Sequence, residues 1–95
     1  MVGAAETLIL PSQITVNNIE ETRDMMAGWL NDAENQLRCL GSGVETIDAT
    51  GLQLMIAFNK EAARKNREFV IVSPSPVLRD VLVYSGVDKI LAMGR

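Results

Sequence analysis

The stretch Val44-Glu45-Thr46-Ile47-Asp48-Ala49-Thr50-Gly51-Leu52-Gln53-Leu54 predicts a short extended segment that turns sharply into a helix. Asp48 and Thr50 are both residue types that cap helix N-termini. Thr50, with Gln53 three residues later, matches a capping box in which each side chain bonds the other residue's backbone amide. An acidic residue, a hydroxyl and a glycine at the mouth of a helix also suit a site controlled by charge.

The rest of the chain alternates strand and helix patterns around this stretch. Apolar or β-branched runs predict strands at 7–10, 36–40 and 68–72, with a short final strand at 87–91 and a few extended residues at 14–16. The run at 7–10 is expected to be buried on both faces. Helices are predicted from the Asn18 cap to about residue 31, from Thr50 to about Lys65, and from the Ser75 cap with Pro76 at the first position to Gly86.

The first helix shows an apolar stripe at helical spacing, which is typical of core packing rather than of a ligand site. Its members are Thr22, Met25, Met26, Trp29, Leu30 and Ala33. Strands that alternate with helices predict an α/β domain with a largely parallel sheet. The 95 residues suit a single domain, 1–95, in which residues 1–6 form a loose N-terminus.

The composition disfavours several classes of function. Nine Lys and Arg against twelve Asp and Glu give a formal net charge of −3, which disfavours nucleic acid as a partner. No apolar run is long enough to cross a membrane, and the first residues have no signal-peptide pattern. A cytoplasmic protein without membrane insertion is therefore expected.

The residue inventory disfavours catalysis and metal binding. The chain has no His and one Cys, so no Ser-His or Cys-His pair and no intrachain disulfide can form. Cys39 lies between Leu37 and Leu40 and is expected to be a buried small hydrophobe. We therefore expect no catalytic residues, no metal and no cofactor. Gly41-Ser42-Gly43 resembles a fragment of a phosphate loop without its lysine, and a plain turn is favoured there.

The segment Ile47-Asp48-x-Thr50-Gly51-Leu52-Gln53-Leu54, followed by a helix, resembles the signature of the STAS domain family, the anti-sigma factor antagonists and their relatives. The resemblance extends over roughly residues 8–91. It implies a mixed, largely parallel sheet of about four strands with about three helices packed mainly on one side. It also implies a regulatory module without enzyme activity that docks on another protein through the turn and the helix after it.

The partner-binding residues that this resemblance implies lie at the start of the central helix. They are Asp48, Ala49, Thr50, Gly51, Leu52, Gln53, Leu54, Met55 and Phe58. The apolar run at 52–58 favours the same surface, because some of Leu54, Met55 and Phe58 are expected to stay exposed.

Ala49 departs from the family pattern. In switching members the residue after the Asp is a Ser or Thr that a kinase phosphorylates, and Ala49 has no hydroxyl. Three interpretations stay open: Thr50 is the acceptor, the chain binds its partner constitutively, or Ala49 replaces a natural Ser or Thr. A capping role for Thr50 would compete with the first of these, because a capping hydroxyl is already engaged.

The family resemblance implies a protein partner of a particular kind. A histidine-kinase-like anti-sigma factor or a chemosensory kinase is the first candidate, because residues 51–54 and the run Pro-Ser-Pro-x-Leu-Arg at 74–79 resemble chemotaxis-associated members. The alternatives are an accessory subunit that stabilises the ATPase of a lipid-transport ABC transporter, and a weak nucleotide-binding module that uses helix N-termini and Gly41-Ser42-Gly43.

Overall fold

The computed structural model describes residues 7–32, 36–89 and 92–94. The strands are β1 (Thr7–Ile9), β2 (Gln13–Ile14), β3 (Gln36–Leu40), β4 (Thr46–Ile47), β5 (Glu68–Val72) and β6 (Ala92–Gly94). The helices are α1 (Ile19–Asp32), α2 (Ala49–Arg64) and α3 (Pro76–Ser85), followed by a 3₁₀ turn at Val87–Lys89. This confirms the predicted α/β class with three helices and a largely parallel sheet.

The strands form two sheets, and every described pairing is parallel. The main sheet has the order β1-β3-β5-β6, and β2 pairs with β4 in a second, two-stranded sheet. In the main sheet Leu8 lies opposite Cys39, and Cys39 lies opposite Ile71. Parallel neighbouring strands require a crossover connection. Helices α1 and α2 therefore each return the chain to the end of the sheet at which the strands begin, and they run in similar directions.

The main sheet buries one face. Leu37 and Cys39 of β3 and Phe69 and Ile71 of β5 are buried, whereas the residues between them are exposed or half-buried. This period of two places the helices on one side of the sheet. Rings from three elements meet there: Trp29 stacks on Phe58 at 5.8 Å between ring centroids, and Phe58 meets Phe69 edge-on at 5.1 Å.

Several local predictions are confirmed. Ser75 caps α3 by accepting a hydrogen bond from the Leu78 amide at 3.1 Å, Pro76 takes the first helical position, and Gly86 ends the helix in the left-handed conformation at φ 79°. Cys39 is fully buried, and burial raises its pKa to about 12.

Three predictions about individual elements are wrong. The final strand is β6 at 92–94, and residues 87–89 form a 3₁₀ turn, while 90 and 91 lie outside the described residues. The run at 7–10 is not buried on both faces, because β1 is an edge strand whose Ile9 is 67% exposed. Met25 is 38% exposed and does not belong to the buried stripe of α1. Ala33 and residues 1–6 lie outside the described residues.

Candidate functional site

The start of α2 is fixed by the side chain of Asp48. Its backbone is extended, at φ −111° and ψ −174°, and its Oδ1 accepts a hydrogen bond from the Gly51 amide at 2.9 Å. The predicted Thr50–Gln53 capping box is therefore wrong, since Thr50 lies inside the helix, one residue after its start. Asp48 takes the cap because β4 ends at Ile47 and leaves the next residue in the extended conformation that a cap needs.

The second carboxylate oxygen of Asp48 ties α2 to the loop between β2 and α1. Oδ2 accepts a hydrogen bond from the Val16 amide at 3.0 Å. The loop is also held from within, because Asn18 Oδ1 accepts from the Thr15 amide at 3.0 Å and Asn18 Nδ2 donates to the Gln13 carbonyl at 2.6 Å. One carboxylate therefore fixes the positions of two segments that lie 32 residues apart in the sequence.

These hydrogen bonds set the charge state of Asp48. The Gly51 amide lowers the pKa of the carboxyl most, and the Val16 amide lowers it further, because both stabilise the carboxylate form. Asp48 is therefore ionised at neutral pH. The helix start carries a fixed negative charge against the positive end of the α2 dipole.

Gly51 is a packing residue. A Cβ at this position would lie 2.0 Å from the Ile14 carbonyl oxygen and 2.9 Å from the Ile14 carbonyl carbon. Because the obstacle is backbone, no side-chain movement could relieve it. The first turn of α2 therefore lies directly against β2 only because residue 51 has no side chain.

The structure divides the predicted partner-binding residues by accessibility. Ala49, Thr50 and Gln53 are exposed, and Asp48, Leu52 and Leu54 are half-buried. Gly51, Met55 and Phe58 are buried because they lie on the α2 stripe that faces the sheet. The expected exposure at positions 54, 55 and 58 is thus present only at Leu54. We use the name docking turn for Asp48, Ala49, Thr50 and Gln53.

Sequence reasoning missed Val16. Its amide is bound by Asp48 while its side chain is 62% exposed beside the docking turn. The signal in the sequence is weak, because a single valine between Thr15 and Asn17 fits an ordinary connection equally well. Only the fold brings this apolar side chain next to α2.

Gly41 and Gly43 flank a plain turn, and Gly41 is the one that is tightly packed. The Gly41 amide donates to the Val72 carbonyl at 3.0 Å, and the Gly41 carbonyl accepts from the Ser75 amide at 2.9 Å. A Cβ at Gly41 would lie 2.7 Å from a Leu78 methyl carbon. Within 7–32, 36–89 and 92–94, no group of three or more acidic, Cys or His residues lies close enough to hold a metal ion.

Comparisons with known proteins agree with this fold. A crystal structure of a Thermotoga maritima protein described as an anti-sigma factor antagonist superposes with a TM-score of 0.80 at 22% sequence identity. The match covers 95% of this chain and 80% of that one. The search of curated proteins found no match.

No helix in the described part of the chain is long and apolar enough to cross a membrane.

The family model described as "Mlab, STAS domain" matches residues 1–92, nearly the whole chain. The fold, the capped entrance to α2 and this match lead to one conclusion: the chain belongs to the STAS domain family.

Proposed function

We propose that this chain is a regulatory protein-binding module without enzyme activity, and that it docks on its partner through the docking turn. One observation carries the proposal: Asp48 holds the helix start and the neighbouring loop in place while Ala49, Thr50 and Gln53 stay exposed. A rigid, exposed turn loses little conformational entropy when a partner binds. Membership in the STAS family supports the same role.

The proposed partner is a histidine-kinase-like anti-sigma factor or a chemosensory kinase. The fold shared with a protein described as an anti-sigma factor antagonist supports this class. Both carboxylate oxygens of Asp48 already accept hydrogen bonds from amides of this chain, so the docking turn does not require a cation on the partner.

The proposal is tested by isothermal titration of the chain with a candidate kinase-like ATPase. Ala49→Arg places a long cation in the docking turn and is expected to weaken binding by at least about tenfold, or roughly 1.4 kcal/mol. Ala63→Arg makes the same substitution at an exposed position near the other end of α2 and is expected to leave binding unchanged. Equal affinities for the two variants would remove the docking turn from the interface.

We propose Thr50 as the phosphoacceptor of a switching cycle. Its side chain is exposed, and Asp48 rather than Thr50 caps the helix, so the conflict between capping and phosphorylation does not arise. A phosphate there would add nearly two negative charges close to the Asp48 carboxylate. That charge would repel acidic groups of the partner and raise the desolvation cost of docking.

Incubation with the cognate kinase and ATP, followed by mass spectrometry, tests the switch. Label is expected at Thr50 and should be lost in Thr50→Val, which keeps the side-chain shape. Ala49→Ser restores a hydroxyl at the family acceptor position and should gain a label there. Retained binding with no label on the natural chain would instead establish a constitutive binder.

A second candidate function is an accessory subunit of a lipid-transport ABC transporter ATPase. The family description and the absence of a hydroxyl at Ala49 both favour it, because a structural subunit needs no phosphoacceptor. Co-purification with such an ATPase, whose turnover falls when this chain is removed, would support this function over the kinase partner.

A further inference from the structure

In the described part of the chain, the helices cover one face of the main sheet and leave the other without a helix. Phe58 of α2 packs on Phe69, and α1 stacks on Phe58 from the far side. A Cβ at Gly41 would lie 2.7 Å from Leu78 of α3 and 3.3 Å from Ile71. All three helices therefore belong to the face of Phe69 and Ile71.

We call the opposite surface of the main sheet the open face. Its apolar side chains are Ile9, Leu40, Val70 and Val72, and its charged side chains are Arg38 and Glu68. None of these six is buried, and Ile9 is 67% exposed. Sheets in which every pairing is parallel are nearly always covered on both faces, so an apolar face that stays accessible indicates an interface.

The residues that cross the open face in register become smaller from one edge of the sheet to the other. Ile9 on β1 lies opposite Leu40 on β3. Leu40 lies opposite Val72 on β5, and Val72 lies opposite Gly94 on β6, which has no side chain. The surface is therefore high over β1 and β3 and low over β5 and β6.

A second copy of the chain, turned about a two-fold axis parallel to the strands, fits this slope. The rotation places β6 of one copy over β1 of the other, and β5 over β3. Ile9 then faces Gly94 and Leu40 faces Val72, so large side chains meet small ones across the roughly 10 Å between packed sheets. A two-fold axis across the strands, through this row, would instead set Gly94 on Gly94 and leave a void at that edge.

The charges of the open face are compatible with the same rotation. The chain has a formal net charge of −3, but the open face carries one cation and one anion, Arg38 and Glu68. Glu68 lies opposite Gln36, so a second copy would bring its Glu68 over Gln36, about 7 Å along the strand from Arg38. Two cations then lie beside two anions, and the interface has no net charge to oppose association.

We propose that the open face binds the open face of a second copy, about a two-fold axis parallel to the strands, to form a weak homodimer. Three rows of side chains on four strands occupy about 19 by 13 Å at ordinary strand spacings. This is far less than the roughly 800 Å² per partner of a standard stable interface. A dissociation constant between about 10 μM and about 1 mM is therefore expected. The open face lies across the sheet from α2, so the homodimer does not depend on the docking turn.

Sedimentation velocity of the full chain, from about 10 μM to about 1 mM, tests the homodimer. The average mass is expected to rise with concentration from the 10.4 kDa of one chain towards twice that value. Ile9→Glu should weaken association by at least about tenfold, because it places a carboxylate against the second copy. Val83→Glu makes the matched change at a 54% exposed position of α3 and should leave association unchanged. Thermal unfolding checks that both variants are folded.

Chemical cross-linking tests the orientation of the two copies. An Ile9→Cys chain is mixed with a Gly94→Cys chain and treated with a short bismaleimide reagent. In the proposed homodimer these positions face each other across the interface, whereas two copies of position 9 lie at least three strand spacings apart, about 14 Å. A covalent dimer is expected from the mixture and not from either variant alone, and the buried Cys39 should not react.

Three results would overturn the proposal. The first is a mass that stays at that of one chain up to about 1 mM. The second is association that Ile9→Glu and Val83→Glu weaken equally, and the third is cross-linking of the Ile9→Cys chain alone as fast as in the mixture. Ala49→Arg should leave association unchanged, so this proposal and the docking turn can fail separately.

Discussion

At the residue scale, Asp48 joins two segments through one carboxylate. Asp48→Asn keeps an oxygen for the Gly51 amide but presents no second acceptor to the Val16 amide, so the variant should be less stable than the natural chain. The pKa of Asp48 is lowered below the ordinary value near 3.8, so its stabilising contribution is present above that value and is lost as pH falls through the folded pKa.

Urea denaturation of both proteins at a series of pH values, from neutral downward through the folded pKa of Asp48, measures this effect. The difference between their midpoints is expected to be largest at neutral pH and to shrink in acid, where the natural carboxyl becomes protonated. A difference that stays constant with pH would show that the negative charge of Asp48 does not strengthen its hydrogen bonds to the Gly51 and Val16 amides.

Gly51 and Gly28 form a matched pair of helical glycines with opposite expectations. Gly51→Ala forces a Cβ onto the Ile14 carbonyl and should destabilise the protein by about 2 kcal/mol or more, despite the better helix propensity of alanine. A Cβ at Gly28 would have no neighbouring atom within 4 Å, so Gly28→Ala should stabilise the protein by about 0.5–1 kcal/mol. Thermal unfolding checks both, since about 1 kcal/mol shifts the Tm of a domain this size by roughly 4–8 °C.

Cys39 should be inert in the folded protein. Its sulfur is buried in the core, and burial raises its pKa to about 12, so almost no thiolate exists at neutral pH. A disulfide exchange reagent is expected to label it completely in denaturant and only at the rate of unfolding in buffer. Rapid labelling of the native protein would contradict the buried position.

At the element scale, the start of α3 depends on one hydroxyl. Ser75 Oγ accepts from the Leu78 amide, and the residue is nearly buried, so Ser75→Ala should cost about 1 kcal/mol in the free energy of unfolding. Ser85 bonds carbonyls of the preceding turn from an exposed position, and Ser85→Ala should cost less than Ser75→Ala. Chemical denaturation gives both values, and equal losses would argue against the cap.

Helix capping also shows where sequence patterns are sufficient. At α3, Ser75 followed by Pro76 leaves a single possible start, and the prediction is confirmed. At α2, Asp48 and Thr50 are both acceptable caps, and local sequence favoured the one with a capping box. The pairing of β4 with β2 decides between them, because it extends the chain as far as Ile47 and leaves Asp48 at the cap.

At the scale of the whole molecule, Phe58 connects the helix layer to the sheet. It contacts Trp29 of α1 and Phe69 of β5, so Phe58→Ala should cost about 3–5 kcal/mol, a large part of the roughly 5–15 kcal/mol that stabilises a small domain. Urea titration followed by far-ultraviolet circular dichroism measures the loss.

Trp29 is the single tryptophan, so its fluorescence reports on the same contact. For the natural chain the fluorescence and circular dichroism transitions should coincide, as expected for one cooperative unit. Separate transitions would mean that the α1–α2 contact opens before the sheet.

Local patterns in the sequence were enough to predict the α/β class, most of the strands and helices, and where the candidate site lies along the chain, because periodicity, caps and the motif around Asp48 act over a few residues. Tertiary structure decided which motif residues are accessible. The segment Leu52–Phe58 is apolar almost throughout. Met55 and Phe58 are buried because they lie on the face of α2 that packs against the sheet, whereas Leu54 lies off that face and stays half-buried. The tertiary structure also brings Val16 beside Asp48 and places Phe58 between Trp29 and Phe69, since both arrangements depend on contacts between residues far apart in the chain.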